Sequence, residues 1–266
     1  MIKKNNFYPL FVYLCLIYSG ACHAKASLSN NVIFVTEHLP PFQIAQQGQV
    51  SGFATELLKA AVSETDINAS YIVYPWSRAY NLAQERPNTC IYSIARTPQR
   101  EQLFHWVDVL TQTNSHFIGL KSRTDIDIKS VEDAKRYKVA VLKDDVTHQL
   151  LLAKGFKEFK NLYVVNNTQS LLKLLVLRTN IDLILADNLT VTYRALYNDI
   201  APSQFAVYLK VNQSPLDFYL ACNLETSKET IQAIKSGFAA IRKSGQYQKI
   251  SHEWKQLVPD GKDIIQ

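Results

Sequence analysis

The chain has 266 residues, 47% of them hydrophobic, and 29 Lys and Arg against 23 Asp and Glu give a formal net charge of +6. That length suits one large domain or two lobes of ordinary size, with enough apolar residues to fill a core. The modest positive balance, with no clustered basic stripe, argues against a nucleic-acid partner.

The first segment predicts the compartment. Met1 to Asn6 carries Lys3 and Lys4 and no acid, Phe7 to Tyr18 is apolar but for Pro9, and small residues follow up to Ala24-Lys25-Ala26. This is the order of a secretory signal peptide, so residues 1–26 are expected to be removed and the mature protein to be periplasmic. The apolar run is shorter than the roughly 20 residues a membrane span needs. Cleavage after Ala26 is the first choice and after Ala24 the second. A rival reading makes Cys22 a lipidated residue, but Ser19-Gly20-Ala21 lacks the leucine expected before such a cysteine. Loss of Lys3, Lys4 and Lys25 would bring the charge of +6 to about +3.

Beyond the leader, Asn31–Thr36 (NVIFVT) reads as a strand followed by Pro40-Pro41. Phe53–Ser63 has apolar residues at helical spacing. Ala69–Tyr74 reads as a strand, Trp76–Gln84 as a short helix and Cys90–Ile94 as a third strand. The pattern then restarts, with strands at His116–Leu120, Lys138–Leu142, Leu162–Val165 and Asp182–Ala186. Helices are expected between them at Val131–Arg136, Val146–Lys154 and Ser170–Leu177, with a further helix at Leu189–Leu196. One more strand, Phe218–Cys222, precedes a helical tail over Lys228–Gln256 that breaks at Gly245. The alternation of strand and helix favours parallel α/β sheets. Its repetition suggests two lobes with a cleft beyond the carboxyl ends of their strands, where small ligands bind.

Five pieces in order make the chain resemble the family 3 bacterial extracellular solute-binding proteins, the polar amino-acid binders of ABC importers. They are Thr36-Glu37-His38-Leu39-Pro40-Pro41-Phe42 with Gly52-Phe53; Pro75-Trp76-Ser77-Arg78; Ser93-Ile94-Ala95-Arg96-Thr97-Pro98-Gln99-Arg100; Asp182-Leu183-Ile184-Leu185-Ala186-Asp187; and Ile241-Arg242-Lys243-Ser244-Gly245-Gln246-Tyr247. The resemblance implies an α/β type II periplasmic-binding-protein fold. Lobe 1 would hold 27–115 and 222–266, and lobe 2 would hold 116–221 with the hinge strands. Two crossing strands near His116–Leu120 and Phe218–Cys222 would form the hinge. The returning strand would set Cys222 beside Cys90, as a disulfide or as two buried thiols.

The resemblance also nominates ligand contacts. Arg100 falls at the family's carboxylate-binding arginine, where a guanidinium forks onto two oxygens; otherwise it is a solvated residue at a helix start. Asp187 falls where the family receives an ammonium group; its other role is a helix N-cap. Trp76 matches an aromatic that stacks on the ligand, although aromatics also fill cores, as Phe42 in the opening turn can. Ser93 offers a hydroxyl at a strand end. Arg78 and Arg96 are less usual; Arg96 either faces the cleft or pairs with Glu37 or Glu101. Asp144-Asp145-Val146 stands where amino-acid binders carry a glycine and threonines. Two acids there, with Glu37 near the mouth, put a simple α-amino acid in doubt: either the ligand carries an additional positive group or this loop points away.

No nucleophile motif is present, and His38, His105, His116, His148 and His252 show no metal-ligand spacing. The expected role is therefore a non-enzymatic binder without cofactor. It would be a monomer that closes on a small carboxylate-bearing, amino-acid-like ligand and meets an ABC permease. A sensory adaptor for a membrane receptor is the alternative. So is an enzyme of the cyclohexadienyl dehydratase type, with Glu37 or Asp145 as its acid.

Overall fold

Strand β1 (Asn31–Thr36) is buried along most of its length and pairs in parallel with β4 (Asn68–Val73) on one side and β5 (Thr89–Ala95) on the other. The computed structural model describes residues 31–177, 180–211 and 215–257, so the expected leader at 1–26, with Cys22, lies outside the described residues. A small hairpin, β2 (Ile44–Gln46) and β3 (Gln49–Ser51), leads into helix α1 (Phe53–Ser63). The N-cap of α1 is Gly52 at φ 105°, where a Cβ would lie 2.6 Å from the Phe42 carbonyl oxygen, so a glycine is needed for the close approach. Helix α2 (Trp76–Glu85) connects β4 to β5. The first sheet is completed by β6 (His105–Thr113) and β12 (Leu216–Cys222), in the order β4-β1-β5-β12-β6, with β12 antiparallel to both neighbours.

The second sheet runs β11-β7-β10-β8-β9. Its strands are β7 (His116–Leu120), β8 (Val139–Leu142), β9 (Leu162–Val165), β10 (Leu183–Ala186) and β11 (Phe205–Lys210). Strands β8, β9 and β10 are parallel, and β7 is antiparallel to β10 and β11. Helices α3 (Val146–Ala153), α4 (Thr168–Leu177) and α5 (Asn188–Tyr197) follow β8, β9 and β10 in turn. The architecture is thus the α/β, two-lobed one expected from the sequence. The chain crosses between the sheets at Asn114–Ser115 and again after Val211, and each expected hinge strand is paired wholly within one sheet.

Helices α6 (Lys228–Lys243) and α7 (Gln246–Leu257) are the last elements among the described residues, separated at Gly245 with φ 81°. α6 packs on α1 so tightly that a Cβ on Gly237 would stand 2.0 Å from the Ala61 carbonyl oxygen. The first core joins these helices to the sheet through Phe34, Leu57, Phe238 and Ile241. A second cluster takes in residues of both lobes, among them Trp76, Ile94, Leu142 and Leu171. Cys90 and Cys222 face each other in the β5–β12 register and form a fully buried disulfide.

Three expectations about elements change. Val131–Arg136 makes only a 3-10 turn at Asp133–Arg136, because Asp133 accepts the backbone N–H groups of Lys129 and Ser130 and caps a turn there. Strands β6 and β11, unassigned in the sequence, are both present. Arg100 precedes a single 3-10 turn, Glu101–Leu103, rather than an α-helix.

Candidate functional site

The carboxyl ends of β1, β5, β8 and β10 converge on one cavity, as expected of facing parallel α/β lobes. Glu37 follows β1 and Ser93 lies near the end of β5. Trp76 opens α2, and Asp145 and Asp187 are the N-caps of α3 and α5. All five line the cavity, together with Arg194, Thr113, Asn114, Thr168 and Phe218. About 60 Å³ of it is open to the centres of water molecules.

The acids are held differently. Asp145 Oδ2 caps α3 by accepting from the Thr147 N–H at 3.4 Å, and it also accepts from Thr147 Oγ1 at 2.8 Å. Asp187 caps α5 through the Thr190 N–H at 3.1 Å, and its Oδ2 also accepts from Thr113 Oγ1 and the Asn114 N–H. Those two donors are the last residue of β6 and the first of the crossing segment, so this carboxylate ties α5 to the start of the crossing while the residue lines the cavity. Of the two roles weighed for Asp187 the helix cap is occupied, and the residue also lines the cavity. Glu37 is 6% exposed. Burial, reinforced by the charge of Asp145 and opposed by Arg194, pushes its carboxyl up to about 8. It is therefore mostly protonated at neutral pH. Arg194, 5% exposed, is pulled down to about 10 by burial against the attraction of Glu37 and Asp187. It stays cationic.

The lobes meet through hydrogen bonds at the cavity rim. The Asp144 carbonyl, at φ 60° in the second lobe, accepts from Trp76 Nε1 and from Arg100 Nη2, each at 3.0 Å. Thr168 Oγ1 donates to the His38 carbonyl at 2.8 Å. Ser93, also at positive φ (60°), takes a hydrogen bond from Gln43 Nε2.

Four nominated residues stand elsewhere. Arg100 is 1% exposed and outside the cavity wall; its Nη1 donates to the Ala95 carbonyl, Nη2 to Asp144, and its guanidinium lies over the rings of Trp76 and Tyr80. Nη2 thus bridges the lobes, Nη1 bonds within the first lobe, and Nε has no hydrogen-bond partner. Arg96 is paired with Glu101, Nε to Oε2 at 2.8 Å, on the surface. Arg78 is exposed and lies 4.4 Å over the Tyr74 ring. Phe42 is 1% exposed in the first core, edge-on to Phe218. Asp182 accepts from Arg123 and the Lys138 N–H, a structural role at the strand start.

Arg194 escaped the sequence reading. Its signal was present: Thr190, Val191, Arg194 and Ala195 form the buried stripe of α5, so a cation sits at helical spacing on an otherwise uncharged face. A second, larger cleft of about 400 Å³ is lined by Arg194 as well, together with Leu172, Val176, Tyr197 and Ile200. It contains no carboxylate, so the smaller cavity with both signs of charge is the candidate site.

Comparison with known proteins agrees with this architecture. Among solved structures, the sensor domain of a histidine kinase, described as similar to periplasmic binding proteins, superposes with a TM-score of 0.75 at 18% identity, over 84% of this chain and 95% of that one. An ancestral arginine-binding protein bound to arginine gives 0.73 at 18% identity, over 85% and 98%. An ancestral amino-acid-binding protein, a precursor of cyclohexadienyl dehydratase, gives 0.66 at 20% identity, over 85% and 95%. At these identities the likeness is one of fold. Curated protein sequences contain no significant match. The model of the bacterial extracellular solute-binding proteins, family 3, matches residues 32–256, and the chain belongs to that family.

Proposed function

We propose that this protein acts outside the cytoplasm as a monomeric receptor. It closes its lobes on a small, carboxylate-bearing, amino-acid-like solute that also carries positive charge, and it delivers that solute to an ABC importer. The observation that carries this reading is the inter-lobe cavity, lined by the buried acid Glu37, the half-buried acids Asp145 and Asp187 and the buried cation Arg194. Groups of both signs suit a zwitterion. A ligand gripped from both lobes binds the closed form better than the open one, which is what drives closure. Thermal-shift and calorimetric titration of the purified protein against amino acids, dicarboxylates and polyamines tests it. A ligand at about 100 times its Kd adds about 2.7 kcal/mol, a rise of about 5–10 °C in Tm for a chain of this size. A panel without a hit would sink the reading.

Likeness to a kinase sensor domain favours a second reading, a sensory role with the same cavity. Uptake of labelled ligand separates the two: deleting the gene abolishes uptake for an importer subunit and leaves it intact for a sensor. The protonated Glu37 favours a third, a dehydratase. The binder reading expects no turnover of prephenate or arogenate.

A further inference from the structure

Arg194 donates from Nη1 to the Thr168 carbonyl at 3.2 Å, while its Nε and Nη2 have no hydrogen-bond partner. Those two atoms form one edge of the guanidinium, and that edge matches the two oxygens of a carboxylate. Among the described residues no acid reaches ion-pair distance of Arg194. Glu37 and Asp187 nevertheless lie near enough to act on its charge. A buried cation with unmet donors is unfavourable unless something completes it. Arg100, at the position to which the family resemblance gives this task, has committed both Nη groups to backbone carbonyls outside the cavity wall; its lone unmet Nε does not make the two-donor edge that Arg194 keeps free.

We propose that the anionic group of the ligand, a carboxylate or an oxyanion of similar size, is received by the Nε–Nη2 edge of Arg194 in the second lobe, and that the ligand's cationic groups lie against Glu37 and Asp145. This rests on the solute-receptor reading and narrows it. Asp145 and Asp187 face one guanidinium in the cavity, and Glu37 is a third carboxyl that a cation placed against it would ionise, so the occupant carries more cationic than anionic groups, as a cationic amino acid does. The ligand then lies reversed relative to the orientation implied for Arg100 and Asp187, with its anion held by the second lobe and its positive charge turned toward Glu37 of the first.

Matched pairs that differ by one carboxylate test the assignment: L-arginine against agmatine and L-lysine against cadaverine, titrated calorimetrically into the full protein. The wild type is expected to prefer the amino acid by about 10- to 100-fold, the worth of a charge-assisted pair of hydrogen bonds. Arg194→Gln is expected to lose that preference while still binding the amine, and Arg194→Lys to keep part of it. Arg100→Gln weakens both members alike and leaves their ratio intact. Without ligand, Arg194→Gln is expected to melt above the wild type, because it removes an unpaired buried charge; this also verifies that the variant folds. Should it not fold, the wild-type and Arg100→Gln ratios still decide. If the wild type binds the amine as tightly as the amino acid, the inference is overturned and the receptor reading stands. The same holds if the preference survives Arg194→Gln and disappears in Arg100→Gln. A hit confined to dicarboxylates overturns the cationic class. No hit at all overturns the receptor reading itself.

Discussion

Replacing Glu37 by glutamine removes the most strongly shifted acid of the cavity while keeping its size. Burial first, and then the charge of Asp145, raise this carboxyl from 4.5 to about 8, with Arg194 pulling the other way. The shift corresponds to a penalty on the order of 5 kcal/mol for the ionised form in the closed protein. Because the folded value lies above the unfolded one, the stabilisation is complete below pH 4.5 and is lost as pH rises toward about 8. Opening the cleft rehydrates Glu37, so the loss cannot exceed the cost of opening. The assay is the ligand-free Tm, with Trp76 fluorescence as a monitor of closure, from about pH 5 to about pH 9. The wild type is expected to lose up to about 10–20 °C more than Glu37→Gln over that interval. Groups that titrate in both proteins cancel in the difference. Parallel curves for the two would refute the buried, protonated Glu37.

Reduction of Cys90–Cys222, or Cys90→Ser with Cys222→Ser, is expected to destabilise the first lobe. The chain-entropy ceiling for a separation of 132 residues is about 5 kcal/mol, read from urea midpoints with and without reductant. Gly237→Ala forces α6 away from the Ala61 carbonyl and is expected to cost at least about 1–3 kcal/mol in the same assay. An unchanged midpoint would contradict the α1–α6 packing. Trp76→Phe keeps an aromatic ring at the cavity but loses the donor to Asp144; ligand dissociation is expected to quicken about 3- to 10-fold, measured by stopped flow.

The two-lobed fold was legible because strongly apolar, β-branched segments such as NVIFVT, KVAVL and DLILA alternate with helical spacing. The ordered motifs then supplied the topology that periodicity alone cannot. Strand β6 was obscured because HWVDVLTQT lies at a sheet edge, where only part of each face is buried and polar residues interrupt the pattern. β11 is also an edge strand, yet FAVYLK carries strand formers enough to be read. Within the site, residues that end strands or cap helices (Glu37, Ser93, Asp145, Asp187) were accessible from sequence because their positions follow from the elements they terminate. Arg100 and Arg194 were not, because a long side chain can reach in several directions from one backbone position. Which way each points is decided by tertiary neighbours: the Asp144 carbonyl for Arg100, the Thr168 carbonyl for Arg194.

The clasp between the lobes ends on a main-chain oxygen. Trp76 and Arg100 both donate to the carbonyl of Asp144, and any amino acid that tolerates the backbone conformation at position 144 would present the same acceptor. The neighbouring residue, Asp145, carries its side chain into the cavity. Shutting and selecting are thereby assigned to different parts of two adjacent residues. Side-chain changes at 145 can alter which solute is preferred without touching the bonds that hold the lobes together, and changes at 100, outside the cavity wall, can retune how long the protein stays shut without altering what it accepts. For the proposed receptor, specificity can then drift through single substitutions at 145 while the inter-lobe clasp persists.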